Sequence, residues 1–149
     1  MYDRILLATD GTTASKNANS HAINLAAAHN AELDVLYVVD ESIYTAYSGD
    51  EYVDSAEGPE HGLTEHGREI LETVRSDAES HGVEVTTTIQ HGDPVETITD
   101  YADERDVSLI ILGTKRRSAE YRALLGSVTD RVLRLTNRPA LVVKTATND

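Results

Sequence analysis

The residues best suited to chemistry lie in one segment of the sequence, Gly113–Ser127. From Ser127 onward the pattern Ser-Val-Thr-Asp predicts a helix start, because a serine can cap the first turn and an acid follows three residues later. A helix start presents free N–H groups and the positive end of the helix dipole, and Gly126 just before it lets a ligand approach the backbone closely. These features predict a site for an anion such as a phosphate. The same segment also contains four basic residues: Lys115, Arg116, Arg117 and Arg122.

Each of these residues also has a structural explanation. A serine before a helix is an ordinary N-cap, and a cluster of basic residues is most often a solvated loop. Asp10, which follows the first strand-like run, can equally cap the next helix. The six histidines suggest a metal site, but His61 and His66 are five residues apart, whereas ligands on one helical face need a spacing of three or four. We therefore expect no metal site there.

No pattern in the sequence indicates catalysis. No Ser-His-Asp order or pair of carboxylates stands out, the phosphate loop GxxxxGK(S/T) is missing, and no residue is an obvious base for activating water. The sequence has no cysteine, which excludes disulfides and thiolate metal sites. Binding is therefore the expected function.

The chain is strongly acidic, with a net charge of −13 from 26 acidic and 13 basic residues. This excess argues against general binding of nucleic acid or anionic membranes. Residues 40–104 contain 18 acids and two bases, whereas residues 105–149 contain nine bases and four acids. The local positive charge therefore surrounds the Gly113–Ser127 segment. The many carboxylates and few lysines suggest a halophile-like surface, which predicts a melting temperature that rises in molar KCl.

The length and the N-terminus indicate one cytoplasmic domain. At 149 residues the chain has the usual size of a single domain. No apolar run approaches the roughly 20 residues that span a bilayer. The N-terminus leads directly into a strand-like run and lacks the layout of a signal peptide. We expect residues 1–149 to form one cytoplasmic domain without a membrane or nucleic-acid partner.

Five strand-like runs must position the candidate residues. Three of them are almost continuously apolar, which is typical of parallel strands covered on both faces. The run that comes third along the chain, Val83–Gln90, instead alternates between apolar and polar residues, which predicts a strand near an edge. Helical patterns separate the runs, so the order predicts a mainly parallel sheet. The runs are Arg4–Thr9, Glu32–Val39, Val83–Gln90, Val107–Leu112 and Ala140–Lys144.

The first two helical patterns differ in strength. Small apolar residues recur every three or four positions between residues 14 and 26, which predicts a helix that packs closely on the sheet. A second helix fits Thr64–Ser80, although an interior glycine, Gly67, costs about 1 kcal/mol relative to alanine. A long acidic connection, at about residues 40–62, precedes this helix and exceeds the usual loop length.

The last two helices have clear start signals. Asp93 and Pro94 predict a capped helix with proline at its first position, and Ser127 begins the final helix. In that final helix Val132 and Leu135 are expected on one buried face.

The strand ends define one crevice. Ligands of doubly wound sheets bind beyond the carboxyl ends of the strands, where the strand order reverses. The first run ends near Thr9, the second just after Val38, and the fourth at Leu112 and Gly113. With the helix start at Ser127, these ends predict one ligand crevice.

The sequence resembles the universal stress protein family over essentially its whole length. The resemblance is carried by ATDG after the first strand, VVD at the end of the second, GDP before a helix, and LIILGT followed by LLGSVTDRVLRLTNRPALVVK. It implies a three-layer, open twisted α/β fold with five parallel strands in the order 3-2-1-4-5. That fold is Rossmann-like, of the adenine nucleotide alpha hydrolase-like type. The family usually forms homodimers.

The resemblance to the ATP-binding branch of that family implies roles for the matching positions. Asp10 corresponds to the acid near the ribose or the metal–phosphate region, and Val38 to the residue that packs on adenine and offers backbone hydrogen bonds. The glycine and serine before the last helix correspond to groups that hold the phosphates. The implied nucleotide-binding set is Ala8, Thr9, Asp10, Val38, Leu112, Gly113, Arg116, Gly126, Ser127 and Val128.

Arg116 departs from the pattern of that branch. The motif Gly-x2-Gly-x9-Gly-Ser/Thr keeps its spacing from Gly113 to Ser127, but Arg116 stands at the second glycine. An arginine there crowds the site if phosphates press on the backbone or if the turn needs a positive φ. It can instead place its guanidinium on a phosphate. The sequence supports both outcomes.

The leading functional hypothesis is a small stress-response or regulatory protein that binds ATP, with or without Mg²⁺ held through Asp10. The resemblance also implies a homodimer in which the last strand pairs with its copy through Leu141, Val142 and Val143. One alternative, which Arg116 favours, is a dimeric interaction module that has lost nucleotide binding and works through an unknown protein partner. A slow ATP hydrolase is a third hypothesis.

Overall fold

The computed structural model of the chain describes residues 2–9, 13–40, 59–116 and 127–146. For residues 13, 14, 59–61, 115, 116, 127 and 146 it describes the backbone alone. No helix in these ranges is long and apolar enough to cross a membrane. Strands and helices alternate in the order β1 (Arg4–Ala8), α1 (Thr13–His29), β2 (Glu32–Asp40), α2 (Pro59–Ser80), β3 (Val85–Gly92), α3 (Pro94–Glu104), β4 (Leu109–Arg116), α4 (Ser127–Leu135) and β5 (Ala140–Ala146).

The five strands form one parallel sheet in the order β3-β2-β1-β4-β5. In the central strand β1, Ile5 lies between Leu33 of β2 and Leu109 of β4. The strand order implied by the family resemblance is confirmed, and so is the edge position predicted for the third strand. Because β2 and β3 lie on one side of β1 and β4 and β5 on the other, the order reverses between β1 and β4.

Helices cover both faces of the sheet, and alternate residues of the central strands supply two cores. In β1, Ile5 and Leu7 face the core shared with α1 and α2, whereas Leu6 faces the core shared with α3 and α4. All three side chains are fully buried. Ala18 and Ala22 of α1 are also fully buried, which confirms that small residues bring this helix close to the sheet.

Two predicted strand starts are wrong by two residues, because the residues concerned complete the preceding helices. The N–H of Val83 donates to the carbonyl of Ala78 at 3.0 Å, and the N–H of Val107 donates to that of Ala102 at 3.1 Å. Both valines are nevertheless buried in the core, so their apolar pattern reports burial and not strand pairing. At their other ends, β3 and β4 extend further than predicted, to residues 92 and 116.

Packing explains the glycine inside α2, a helix that begins at Pro59, five residues before its predicted start. The ring of Tyr37 on β2 occupies the space where a side chain at Gly67 would lie. A Cβ atom at Gly67 would be 2.5 Å from the Cδ1 and 2.7 Å from the Cε1 of Tyr37. His66 meets the same ring edge to face, with 6.4 Å between the ring centroids. The glycine therefore lets α2 rest directly on β2 and bury the tyrosine.

The prediction that Leu135 shares the buried face of α4 is wrong. Val132 is fully buried, but Leu135 is 61% exposed. Leu135 is the last residue of α4, so the packing that buries Val132 ends before it. The helix therefore leaves a large apolar side chain at the surface.

A buried acid, Asp34, ties together the amino ends of the strands, and the sequence interpretation overlooked it. Its side chain is 1% exposed, and both carboxylate oxygens accept hydrogen bonds from Arg4, at 3.2 and 3.4 Å. Arg105 donates to the same two oxygens at 3.2 and 3.4 Å. The hydrogen bond to Asp34, followed by its Coulombic attraction, raises the pKa of Arg105. This cluster fixes β1, β2 and the end of α3 at the edge opposite the predicted crevice.

Candidate functional site

A cleft of about 300 Å³ opens at the carboxyl ends of β1, β2 and β4. Ligands of parallel α/β sheets bind at this edge, at the point where the strand order reverses. In this sheet that point lies between β1 and β4. The volume is at the small end of the usual range for ligand pockets, about 300–1,000 Å³. The predicted crevice is therefore a cavity in the structure.

One wall of the cleft is apolar and continues the core beneath α3 and α4. Ala8, Val38 and Val128 are half-buried, so they end this core at the surface of the cleft. A flat, largely apolar group such as a heterocyclic base fits against a wall of this kind. The lining residues that belong to this wall are Ala8, Leu36, Val38, Ile98, Leu112 and Val128.

Thr9 lines the cleft and contains a buried polar atom that lacks a partner among the described residues. Its backbone N–H donates to the carbonyl of Leu36 at 3.1 Å, just beyond the paired residues Ala8 and Leu36. Its side-chain Oγ1 is buried and has no hydrogen-bond partner within the described ranges. An unpaired buried hydroxyl costs about 1–3 kcal/mol of stability, so such atoms are rare unless a water or a ligand forms a hydrogen bond with them. A ligand in the cleft is one such partner.

Val38 lies on the edge of β2 that faces the same cleft. Successive residues of a strand direct their N–H and C=O groups to opposite neighbours, and Leu36 directs its carbonyl to β1. Val38, two residues later, therefore faces the same way. Because β1 ends at Ala8, which pairs with Leu36, no described residue of β1 lies opposite Val38. Its N–H and C=O are placed to act as a donor and an acceptor for a ligand.

A side-chain hydrogen bond fixes α4 to the end of β4. The hydroxyl of Thr129 donates to the carbonyl of Gly113 at 3.2 Å, and both residues line the cleft. Thr129 lies in the first turn of α4, whose N–H groups lack helical partners. The bond therefore holds the positive end of a helix dipole beside the cleft.

The structure brings most of the predicted nucleotide-binding residues together. Asp10 and Gly126 lie outside the described residues, as do Arg117, Arg122 and residues 41–58 of the acidic connection. Ser127 begins α4 at the expected position, and its backbone alone is described. The predicted residues that line the cleft are Ala8, Thr9, Val38, Leu112, Gly113 and Val128.

The backbone of Arg116 shows whether the chain needs a positive φ at this position, where the motif has a glycine. β4 continues through Arg116, which pairs with Ala146 of β5. A paired strand residue has a negative φ, near −120° in parallel sheets. A turn with positive φ is therefore not formed at this position.

Several residues of the cleft were not identified as site residues from the sequence. Pro94 was recognised as a helix start, but not as part of a wall. Ser15 of α1 and Leu63 of α2 also line the cleft, and nothing in the sequence signals this. Their position depends on how α1 and α2 lie across β2, which local patterns do not report. Thr129 carried a weak signal, since it lies two residues after Ser127 in the predicted first turn.

A larger and more open groove, of about 970 Å³, lies at the opposite edge of the sheet, around Arg4 and Arg105. Both guanidinium groups are already bonded to Asp34. Among the described residues no three His, Asp or Glu side chains form a group that could hold a metal ion. The smaller cleft is the better candidate for a ligand site.

The fold and the cleft define a Rossmann-like α/β protein with a small, largely apolar cleft at the switch point of its parallel sheet. The family follows from comparison of the sequence. The chain belongs to the universal stress protein family, whose family model matches residues 1–144.

Individual relatives agree with this assignment. Universal stress protein MJ0531 of Methanocaldococcus jannaschii is 37% identical over 144 residues, which cover 97% of this chain and 83% of the relative. Universal stress protein YxiE of Bacillus subtilis is 35% identical, over 97% of this chain and all of the relative. The solved structure of MJ0577, from the same archaeon as MJ0531, superposes with a TM-score of 0.78 at 28% identity and covers 100% of this chain and 99% of that one.

Two further solved structures contain adenine nucleotides. One is a universal stress protein in complex with cAMP, which covers 96% of this chain at 23% identity with a TM-score of 0.65. The other is the universal stress protein from Archaeoglobus fulgidus in complex with dAMP, which covers 96% of this chain at 19% identity with a TM-score of 0.69. At these identities the likeness shows a shared fold.

Proposed function

We propose that this chain binds an adenine nucleotide in the cleft at the carboxyl ends of β1, β2 and β4, as a small stress-response or regulatory protein of the cytoplasm. The observation that carries the proposal is the combination, in one cleft, of an apolar wall with the edge of β2 at Val38, opposite which no described residue of β1 lies. The complexes of fold relatives with cAMP and dAMP support the same ligand class.

The open edge at Val38 favours adenine among the bases. A free C=O accepts a hydrogen bond from the exocyclic amino group of adenine, and a free N–H donates to the ring nitrogen N1 beside it. Guanine carries an oxygen and an N–H at these two positions, so both contacts would be mismatched. A site that leaves buried polar groups unpaired discriminates strongly against the wrong ligand.

The sugar and phosphates would extend from the base towards β4 and α4. Gly113 presents no side chain beside the ribose, and the first turn of α4, from Ser127 through Thr129, supplies unpaired N–H groups for a phosphate. The family resemblance assigns Gly126 to the same phosphates and Asp10 to the ribose or to a metal ion. ATP, with or without Mg²⁺ held through Asp10, is the ligand that the resemblance implies.

Calorimetric titration with AMP, ADP, ATP and GMP tests this function. We expect heat with at least one adenine nucleotide and weaker or no binding of GMP. Ala8→Leu adds bulk to the apolar wall and should weaken adenine-nucleotide binding by about tenfold or more. Ala27→Leu makes the same change in the groove at the opposite edge and should leave binding as it is. Absence of binding to every adenine nucleotide, or an unaffected Ala8→Leu variant, contradicts the proposal.

We also propose that the chain forms a homodimer through β5, an edge strand of the sheet. Leu141 and Val142 are half-buried within the subunit, whereas Val143 is 7% exposed and already packed in the core beside α1. Val143 would therefore contribute through its backbone. Light scattering should give a dimer that Val142→Asp converts to a monomer. Thr86→Asp, at an exposed position on the other edge strand, should leave it dimeric, and a wild-type monomer at micromolar concentration contradicts this proposal.

The alternative, a dimeric interaction module without a nucleotide, is favoured by the arginine at position 116. It predicts no calorimetric signal with any adenine nucleotide, and no gain of binding when Arg116 is changed to glycine. A dimer in the same experiments would then be the functional species.

A further inference from the structure

We propose that the outer edge of β3 binds an extended basic segment of a partner protein, which adds to the sheet as a further strand. β3 lies at one end of the sheet and has a neighbouring strand, β2, on one side only. Its eight residues, Val85–Gly92, pair with residues 33–40 in one uninterrupted register. None of the residues that line the nucleotide cleft belongs to β3, so the proposal does not rest on nucleotide binding.

The hydrogen bond at the start of β3 shows which of its backbone groups point outward. The N–H of Leu33 donates to the carbonyl of Glu84 at 2.9 Å, so Glu84 faces β2. Because successive residues of a strand face opposite neighbours, Val85, Thr87 and Ile89 direct their N–H and C=O groups away from β2. No described residue pairs with these three on that side. They form a row of donors and acceptors for another strand.

β3 lacks the features that usually keep the outer edge of a sheet from pairing. Such edges are typically short, or they contain a proline, a bulge or a charged side chain. Residues 85–92 read VTTTIQHG, without Lys, Arg, Asp, Glu or Pro, and the strand is longer than the usual length of about five or six residues. Most of its residues are β-branched, which favours the extended conformation. This edge is therefore suited to the addition of a strand, in which main-chain hydrogen bonds supply the affinity.

The charge of α3 indicates which kind of segment fits beside β3. The hydroxyl of Tyr101 lies 3.2 Å from the Oγ1 of Thr88, so this side of α3 lies against β3. Glu104 follows Tyr101 by three residues on the same side, and Asp100 adjoins it; both are exposed. The helix contains four acidic residues and no basic one. Basic side chains on the α3 face of an added strand would therefore be attracted.

A second acidic surface adjoins the amino end of β3. The groove of about 970 Å³ is lined by Glu79 and Glu84, which precede the strand, and by Asp3. These three side chains are exposed, whereas the two arginines of the groove are bonded to the buried Asp34. A basic segment is matched to both surfaces. Nucleic acid, or the same acidic edge of a second copy, would be repelled by them.

The other face of β3 calls for apolar side chains. Val85 and Ile89 are half-buried and pack against the core shared with α1 and α2. Thr87 lies between them on the same face, and its Oγ1 accepts a hydrogen bond from Arg75 of α2 at 2.7 Å. A strand beside β3 would cover the exposed part of both apolar side chains with its own. Because strand side chains alternate between faces, the fitting segment alternates apolar and basic residues.

Fluorescence anisotropy with labelled peptides and the full chain tests the proposal. An eight-residue peptide of alternating lysine and valine should bind saturably, and one of alternating glutamate and valine should bind about tenfold or more weakly. A lysine–valine peptide methylated at every internal backbone nitrogen keeps the charges but cannot donate main-chain hydrogen bonds, so it should also lose about tenfold or more. No saturable binding of the lysine–valine peptide at millimolar protein, or equal binding of its methylated form, overturns the proposal.

A pair of variants locates the binding surface. Thr86→Lys adds a positive charge at an exposed position of β3, on the face that Thr88 shares with α3, and should weaken binding of the lysine–valine peptide by about fivefold or more. Ser20→Lys makes the same change of charge at an exposed position of α1 and should bind like the wild type. Thermal melting confirms that both variants are folded. Equal binding by the two folded variants overturns the assignment of the peptide to β3.

Discussion

Replacing Thr9 by valine should stabilise the free protein and weaken its binding of an adenine nucleotide. Threonine and valine have nearly the same shape, so the change exchanges the Oγ1 hydroxyl for a methyl group and leaves the packing in place. That hydroxyl is buried without a partner among the described residues. Within the described part of the free protein it therefore contributes a desolvation cost and no hydrogen bond.

The size of the effect follows from that cost. An unsatisfied buried hydroxyl costs about 1–3 kcal/mol, and we expect a gain near the lower end, about 1 kcal/mol, because the neighbouring cleft admits water. For a chain of this length, 1 kcal/mol corresponds to a rise of about 2–4 °C in the melting temperature. Most substitutions of buried residues instead lower the free energy of unfolding.

Thr145 offers a matched control for this experiment. Thr9 and Thr145 are each 6% exposed, but the Oγ1 of Thr145 accepts a hydrogen bond from the Nδ2 of Asn17 at 2.9 Å. Thr145→Val should therefore lose about 0.5–1.5 kcal/mol. Melting by circular dichroism compares the two variants with the wild type. If Thr9→Val lowers the melting temperature as Thr145→Val does, the hydroxyl is not an unpaired group and the reasoning fails.

A binding measurement on the Thr9→Val variant tests the second expected effect, weaker binding of the nucleotide. If the ligand completes the Thr9 hydroxyl, Thr9→Val should weaken AMP binding by roughly tenfold, within the range of one hydrogen bond to a charged group. A variant that is more stable and binds AMP as tightly as the wild type would show that the ligand does not contact this hydroxyl.

Three further predictions concern stability, and melting curves check each of them. Gly67→Ala should lower the free energy of unfolding by about 1–3 kcal/mol because its Cβ would lie 2.5 Å from the Tyr37 ring. Gly62→Ala lies in the same helix with nothing within 4 Å of its Cβ, so it should raise the free energy of unfolding by up to about 1 kcal/mol. Equal effects of the two substitutions would contradict the packing explanation. Asp34→Ala should cost about 3–5 kcal/mol because it leaves two arginines without their buried partner, and Glu32→Ala, at an exposed position, should cost less than about 1 kcal/mol. Because the net charge is −13, the melting temperature should rise from low to molar KCl as repulsion is screened, and a flat or falling curve would refute this.

The sequence was most informative where burial and strand pairing coincide. The apolar runs that became β1, β2 and β5 were located to within two residues, because their apolar residues are buried or half-buried in paired strands. Val83 and Val107 misled the interpretation because each is buried in the core but closes a helix through its N–H. Apolar periodicity indicates that a residue is buried, but it contains no information about the hydrogen bond that its backbone N–H makes.

Other features depend on contacts between residues far apart in the chain. Gly67 looked like a defect in a helix until the ring of Tyr37 was found in the space its side chain would fill. Asp34 was overlooked because its role depends on Arg4 and Arg105, which are 30 and 71 residues away in the sequence. Such pairings arise from topology, and a single sequence does not specify them locally.

The outline of the candidate site was predictable from the carboxyl ends of the strands. Thr9, Val38 and Gly113 could be placed together because the carboxyl ends of parallel strands share one edge. The helical walls could not, since Ser15 and Leu63 reach the cleft through the packing angles of α1 and α2. The pairing of Arg116 with Ala146 was equally hidden, because four further residues of strand follow the last apolar residue of that run.

An NMR titration of the ¹⁵N-labelled protein with AMP tests the central claim most directly. If an adenine nucleotide occupies the cleft, the backbone amides of Val38 and Val128 should shift saturably, while that of Asp34 at the opposite edge of the sheet should not. Saturable shifts centred on Asp34 and its neighbours, or no shift at Val38 at millimolar AMP, would contradict the account.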